Sequence, residues 1–389
     1  MNVISDLSAL EAILDGDADL RGRVLYALDL RQHAARVLAA QVEAAVFIGC
    51  ELERACLAAV VERGALVFPR LPHGKWDIYR RELYTPEELF DGFDPADPCS
   101  YCDTLDARVW RHWRDHGGSH PTDLLETLSR RLHDHAVYEA MRRTLTAHPR
   151  VVAVMGGHSM KRGTPEFASV ARMARLLAER GFFIATGGGP GAMEAAHLGV
   201  WFTGRPDEEL DAAIAILADA PHYKDRDFLS AAFRVRERFP YGQECPPSLG
   251  VPTWLYGHEP PNPFARYIAK FFANSVREDG LVSIATHGIV FAPGSAGTIQ
   301  EIFQDAAQNH YGTVRASAAP MVFLGETYWR AHRPVYPLLA SMAAGRPYAS
   351  LITIGDSIEA LARFIEDHPP VHVDGSDWSV CGLHCSEKT

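Results

Sequence analysis

The chain has 389 residues, 47% of them hydrophobic and 22% charged, the balance of a globular protein with a full core. That length suits two domains, or one large domain with an appendage. A net charge of −11 excludes a protein that coats duplex nucleic acid, which needs a basic surface to displace counterions, but leaves room for a small anion in one pocket.

The chain opens Met1-Asn2-Val3-Ile4-Ser5-Asp6, acidic and without a basic leader. No stretch approaches the roughly 18 apolar residues of a membrane span. A cytoplasmic protein with no membrane partner is expected, its seven cysteines reduced. Residues 1–147 read as an accessory α/β domain, with a strand at 42–49, a helix at 51–62 and a strand at 65–68. The turn Gly49-Cys50-Glu51 is too glycine-poor to cradle phosphate, and no repeat appears at a fixed period. Residues 69–118, rich in Pro, Asp and aromatics, read as irregular surface. Thr122 is the expected cap of a long amphipathic helix with Leu124, Leu125, Leu128, Leu132, Val137, Met141 and Leu145 near one face. Cys99 and Cys102, with Cys381 and Cys385, match no standard zinc spacing. They read as free thiols, and no metal is expected.

Residues 148–370 alternate strand and helix, the rhythm of a Rossmann-like parallel sheet flanked by helices. Strand 151–155 ends in Gly156-Gly157-His158-Ser159, helix 166–180 follows, and strand 182–185 leads into Gly187-Gly188-Gly189-Pro190-Gly191-Ala192-Met193-Glu194. Residues 204–248 read as a helical insertion, after which the sheet is expected to resume at 251–256, with a helix at 263–276. Strand 289–292 then enters Pro293-Gly294-Ser295-Ala296-Gly297-Thr298-Ile299-Gln300-Glu301. Strand 321–324, an edge strand near 351–353 and a helix at 357–366 complete the region, and 371–389 is a polar tail.

Both glycine-rich turns lead from a strand into a helix, where the backbone approaches an anion and the helix start offers free N–H groups. Two in one α/β unit point to a phosphorylated small ligand. On a helix starting near Gly297, Ile299, Ile302, Phe303, Ala306 and Ala307 share the core face. Thr298, Glu301 and Asp305 lie opposite, with Glu301 about 5 Å along the axis from Thr298. A phosphate at the helix mouth would set its sugar beside Glu301. The plainer alternative makes Thr298 a cap, Glu301 a solvated residue and Glu194 a dipole partner of its own helix. Gly187-x-Gly189-x-x-Ala192 also fits the loose dinucleotide pattern, but no acidic residue ends a following strand to hold a ribose, which disfavours a dehydrogenase.

The three blocks 154–159, 186–196 and 293–301, in that order and context, resemble the Lonely Guy family, long mislabelled lysine-decarboxylase-like, and within it the larger bacterial nucleotide 5′-monophosphate nucleosidases. The resemblance covers roughly residues 148–330. It implies a hydrolase that cleaves the N-glycosidic bond of nucleoside 5′-monophosphates such as AMP, needing no cofactor and acting as a homodimer or higher homo-oligomer. It implies that Gly294, Ser295, Ala296, Gly297 and Thr298 bind phosphate and that Glu301 is catalytic. Gly156, Gly157, Ser159, Gly187, Gly188, Gly189, Gly191 and Glu194 complete the expected substrate-binding set. Arg277 lies at nearly the spacing of a family arginine, with one residue extra, and Arg266 is the second candidate. The chain departs from the family at Ser295, where a glycine is usual, and in its N-terminal region and 204–248 segment, so a plant-hormone substrate does not follow. No lysine sits in a setting for a pyridoxal Schiff base.

Such groups fit one reaction. Breaking the ribose–base bond builds oxocarbenium character on the sugar, which a carboxylate stabilises while orienting water. A nucleotide- or alarmone-binding sensor without turnover is the alternative function. His258 and Glu259 follow a strand end, where they either line the same crevice or form a hydrogen-bonding turn, the reading preferred for His258 and for His158. Trp254 and Tyr256 read as packing residues, and Asn309 and Tyr311 as packing or dimer-contact residues.

Overall fold

The structure is a computed structural model that describes residues 3–72, 74–257, 259–314 and 316–373. The chain forms two compact units. One takes residues up to Glu82 together with His116–Ala140, and the other takes Leu83–Asp115 and residues from Met141 on. Residues 83–115 and 141–147 therefore group with the second unit, whereas the sequence reading divides the chain at 147.

The first unit is a run of short parallel strands, β1 (Val3–Ile4), β2 (Val24–Tyr26), β3 (Val46–Ile48) and β4 (Leu66–Phe68), in that spatial order. Helices α1 (Leu7–Asp15), α2 (Ala34–Ala39) and α3 (Arg54–Glu62) each link one strand to the next. Val3 pairs with Val24, Val24 with Val46 and Val46 with Leu66, so the chain winds in near-equal coils, the geometry of a short solenoid. A repeat is therefore present after all. Its spacing drifts by a residue or two from coil to coil, which hides it from a search at one fixed period. Ile4, Leu25 and Phe47 stack inward in register in this unit's core. Ala27 and Gly49, each just past its strand, take left-handed φ of 54° and 62° to turn the corner. Gly49 thus has a structural task, and a Cβ there would meet the Tyr79 ring at 2.5 Å.

Helix α6 (Leu124–Ala147), introduced after α4 (Pro86–Leu89) and α5 (Leu105–Asp115), starts on a different cap from the one expected. The Asp123 carboxylate, not Thr122, accepts the Glu126 N–H at 2.8 Å. Leu124, Leu125 and Leu128 are exposed, while Val137 and Met141 are buried. The 69–118 stretch is also more than surface wrap, for Trp76, Ile78, Tyr84, Leu89 and Val109 are buried.

The second unit holds an all-parallel seven-stranded sheet. Its members are β5 (Val151–Met155), β6 (Phe183–Thr186), β7 (Leu249–Gly250), β8 (Tyr267–Ile268), β9 (Ile289–Phe291), β11 (Met321–Leu324) and β12 (Ile352–Gly355). The spatial order is β12-β11-β9-β5-β6-β7-β8. Two further strands, β10 (Ser317–Ala318) and β13 (Val371–His372), pair antiparallel outside it. β5 and β6 are buried along their whole length, as a sheet covered on both faces requires. The order reverses at β5, with β6 on one side and β9 on the other. Right-handed crossovers leaving in opposite directions put the following helices, α7 (Pro165–Glu179) and α12 (Ala296–Tyr311), on opposite faces and open a crevice between their loops.

Two expectations fail here for local reasons. Pro252 cannot donate to a ladder, so the strand is Leu249–Gly250 and Trp254–Tyr256 is a single helical turn. Residues 263–276 are not a helix. Tyr267–Ile268 forms β8, Ile268 exchanges backbone hydrogen bonds with Tyr84, and α11 begins at Asn274 and ends at Ile284. The 204–248 segment is helical, as α9 (Asp207–Leu217) and α10 (Phe228–Arg238), and is built into the core. Leu210, Ala213, Leu217, Ala231 and Val235 join the cluster that contains Phe167, Leu177 and Trp201. Among the described residues no helix is long and apolar enough to cross a membrane.

Candidate functional site

The crevice at β5 and β9 holds a cavity of about 280 Å³. Its floor is Gly156 and Gly157 beyond β5, one wall is Gly187 with Met193 and Tyr256, and the other is Ser295, Ala296, Gly297, Thr298 and Glu301 at the head of α12. Arg277 and Glu278 of α11 and Glu259 close the sides. Nine residues picked from the sequence therefore meet around one space: Gly156, Gly157, Gly187, Arg277, Ser295, Ala296, Gly297, Thr298 and Glu301.

The rest of the predicted set is distributed around it. Gly188 and Gly189 line a small adjoining recess with Gly187 and Glu259. Ser159 and Gly294 face a separate cavity of about 600 Å³ that shares Gly157 and Ser295 with the first. Gly191 is the N-cap of α8 (Ala192–Trp201) and Glu194 is buried in that helix, and neither lines any of these cavities. Arg266 lies over the Tyr241 ring and is not among the cavity's lining residues.

The two glycine turns do different jobs. At the second, Ser295 is the N-cap but makes no side-chain cap bond. The first N–H groups of α12 have no partner within the helix and open onto the cavity beside the helix's partial positive charge. A Cβ on Gly294 would collide with the Thr298 side chain, so glycine there lets Thr298 tuck in, 4% exposed. The Tyr328 hydroxyl fastens the turn by donating to the Gly294 carbonyl at 2.6 Å. Ser295 has φ of −115°, so the family's usual glycine is not needed for its conformation.

At the first turn two of the amides are already engaged. Ala192 N–H donates to the Gly157 carbonyl at 3.1 Å, and Gly188 N–H donates to the Thr186 hydroxyl at 2.9 Å. That hydroxyl belongs to a buried chain the sequence reading missed. His197 Nε2 lies 2.8 Å from Thr186 Oγ1, and its Nδ1 lies 2.8 Å from Ser248 Oγ. Burial pushes the imidazole down to about 3, so it is neutral. Only the three-dimensional pairing of α8 with β6 and Ser248 marks it, since a histidine in an apolar helix has no local signature.

The electrostatics centre on Glu301. Enclosure in the cavity wall pushes its carboxyl up to about 7, against the pull of the Arg277 guanidinium and with the push of Glu278. Arg277 is held by a hydrogen bond from Nε to the Val251 carbonyl at 3.1 Å, and its guanidinium fills the space where a side chain at 187 would stand. Glu278 accepts from the Asn274 amide at 2.7 Å.

His158, exposed at the rim, has Nε2 3.9 Å from Glu259 Oε1. Tyr256 lines the cavity rather than packing inside, whereas Trp254 is fully buried. Asn309 pairs both ends of its amide with the Ala319 backbone, and Tyr311 is exposed. His258, Cys381 and Cys385 lie outside the described residues. Cys99 and Cys102 are exposed and free. Among the described residues no three His, Cys, Asp or Glu side chains are grouped to hold a metal ion.

No family model matches the chain. It is similar to the pyrimidine/purine nucleotide 5′-monophosphate nucleosidase of Escherichia coli strains K12, O6:H1 and O157:H7, at 28% identity over 170 residues in each case. The match takes in 43% of this chain and 30% of the relative, so the chain spans under a third of the length of the curated relatives it matches. Solved structures with partial likeness include a molybdenum cofactor binding protein from Rippkaea orientalis and the molybdenum cofactor carrier protein of Chlamydomonas reinhardtii. Each is 14% identical with a TM-score of 0.34, covering 56% of this chain and 95% or 96% of its own. A likeness of that size has no bearing on what this chain binds.

Proposed function

We propose that the protein hydrolyses the N-glycosidic bond of nucleoside 5′-monophosphates, AMP among them, to give the free base and ribose 5-phosphate. The observation that carries this reading is the meeting, in one cavity, of the uncapped head of α12 with Glu301 and Arg277. The similarity to the E. coli nucleosidases supports the substrate class.

In this reading the 5′-phosphate accepts from the α12 amides and the Thr298 hydroxyl, which anchors the substrate away from the reacting bond. Glu301, one helical turn further on, faces the sugar. Its ionised form stabilises the positive charge that develops on the ribose and takes a proton from the attacking water. Arg277 holds the phosphate or ribose hydroxyls, or steadies the departing base. No step requires a cofactor. The reading places the protein in the cytoplasm as a homo-oligomer, with residues 1–147 as an accessory region.

Purified protein incubated with AMP, GMP, CMP and UMP should release free base, measured by chromatography, and Glu301→Gln should stop release while still binding nucleotide. Binding without release from any of the four would instead favour a nucleotide or alarmone sensor.

A further inference from the structure

The helix that carries Glu301 borders a second enclosure at its other end. It measures about 260 Å³ and lies where β5 and β9 begin, bounded by Pro149 ahead of one strand and Thr286 and His287 ahead of the other. Asp305, one turn beyond Glu301, lines it. The sequence reading set Asp305 on the open side of α12, yet it is only 6% exposed, and its Oδ2 has no hydrogen-bond partner.

Three of the polar neighbours are engaged elsewhere. Asn309 is committed to Ala319, the Gln308 amide donates to Ser283 Oγ, and the Thr286 hydroxyl donates to the Pro149 carbonyl. No lysine or arginine is among the described residues that line the space, and Val282 and Val314 give it apolar walls. A buried acceptor left unmet is costly, so this cavity asks for a donor with a hydrocarbon body.

We propose that it is a binding site for a small aliphatic amine or guanidine, the cationic head on the Asp305 carboxylate and the chain against Val282 and Val314. Burial holds Asp305 well above the usual carboxylate range, and among the described residues His287 is the other titratable group that lines the space. A bound cation favours the ionised form of Asp305, so cation binding should tighten as pH rises. The site is independent of the hydrolase reading.

The test is calorimetric titration of the full-length protein with n-butylamine and n-butylguanidine, in two buffers of different ionisation enthalpy. Butyramide and butyrate are the neutral and anionic controls. Both cations should bind with a net release of protons and at least about tenfold more tightly than either control. Asp305→Asn, close in shape, should weaken the cations by about tenfold or more, as should Val282→Phe, which fills the cavity and leaves Asp305 in place. Glu301→Gln should leave cation binding unchanged, which separates this site from the substrate cavity. No cation binding, equal binding of the controls, or binding undiminished in both Asp305→Asn and Val282→Phe overturns the proposal and leaves an internal water only.

Discussion

Arg162 and Glu194 form a two-point ion pair, Nε to Oε2 at 2.8 Å and Nη2 to Oε1 at 2.5 Å, with each side chain 1% exposed. Arg162 also donates to the carbonyls of Ala220 and Phe228, and its guanidinium lies 3.4 Å from the centre of the Phe228 ring. One side chain thus ties the loop beyond β5 to α8 and to the start of α10. Glu194→Ala leaves the arginine charge buried and unmatched, a loss of about 3–5 kcal/mol. Urea unfolding of the variant should show a large drop in midpoint. A Glu194 that served mainly as a substrate ligand would instead raise KM with little change in that midpoint.

Glu301 predicts two pH effects of opposite kind. With its carboxyl near 7, kcat should climb with pH and level off above about 7, a limb distinct from the substrate phosphate near 6. Stability runs the other way. A carboxyl raised from 4.5 to about 7 destabilises the fold increasingly as pH rises between those values, then by a constant amount. Glu301→Gln should therefore be inactive yet more stable at pH 8, on the order of 1–3 kcal/mol, and gain nothing below pH 4.5.

Thr298→Val keeps the shape of the α12 head and removes its hydroxyl. Steady-state kinetics should show KM for AMP raised about five- to tenfold, the size of one lost hydrogen bond to an anion. A fall in kcat at unchanged KM would instead place the hydroxyl at the reacting bond.

His197 is neutral down to about pH 3 in the fold, whereas an exposed histidine takes a proton near 6.5. The unfolded chain therefore binds the extra proton between those values, and stability should fall as pH drops from 6.5 toward 3. In His197→Gln that part of the acid slope should vanish, seen as a flatter plot of unfolding free energy against pH.

Gly49→Ala forces a side chain into a left-handed corner at φ 62° and against the Tyr79 ring. The backbone part alone costs about 1–2 kcal/mol. Thermal unfolding should report the loss in the first unit, with the proposed base release little changed.

Much of the candidate site was legible because glycine turns at strand–helix junctions leave a local mark, and Thr298 and Glu301 follow at helical spacing. The pairing of Glu194 with Arg162 leaves no mark in the sequence, because Arg162 lies far off along the chain and a carboxylate in a first helical turn has the same local appearance whether it meets a ligand or an arginine. Val251–Tyr256 has the apolar content of a strand, but Pro252 removes one amide from the ladder, so past Leu249 and Gly250 the pairing thins to single bonds and an isolated bridge between Thr253 and Phe271. Ser248 and Thr186 reveal nothing until His197 joins them.

The winding of the first unit has a further consequence. Each coil is held mainly by the one before and the one after, so this part of the molecule has no intrinsic length. Beyond β4 the series stops with Leu66 and Phe68 open to solvent. A segment of one coil's size could be spliced in or cut out there in register, turning the growth of this part into a matter of counting rather than redesign.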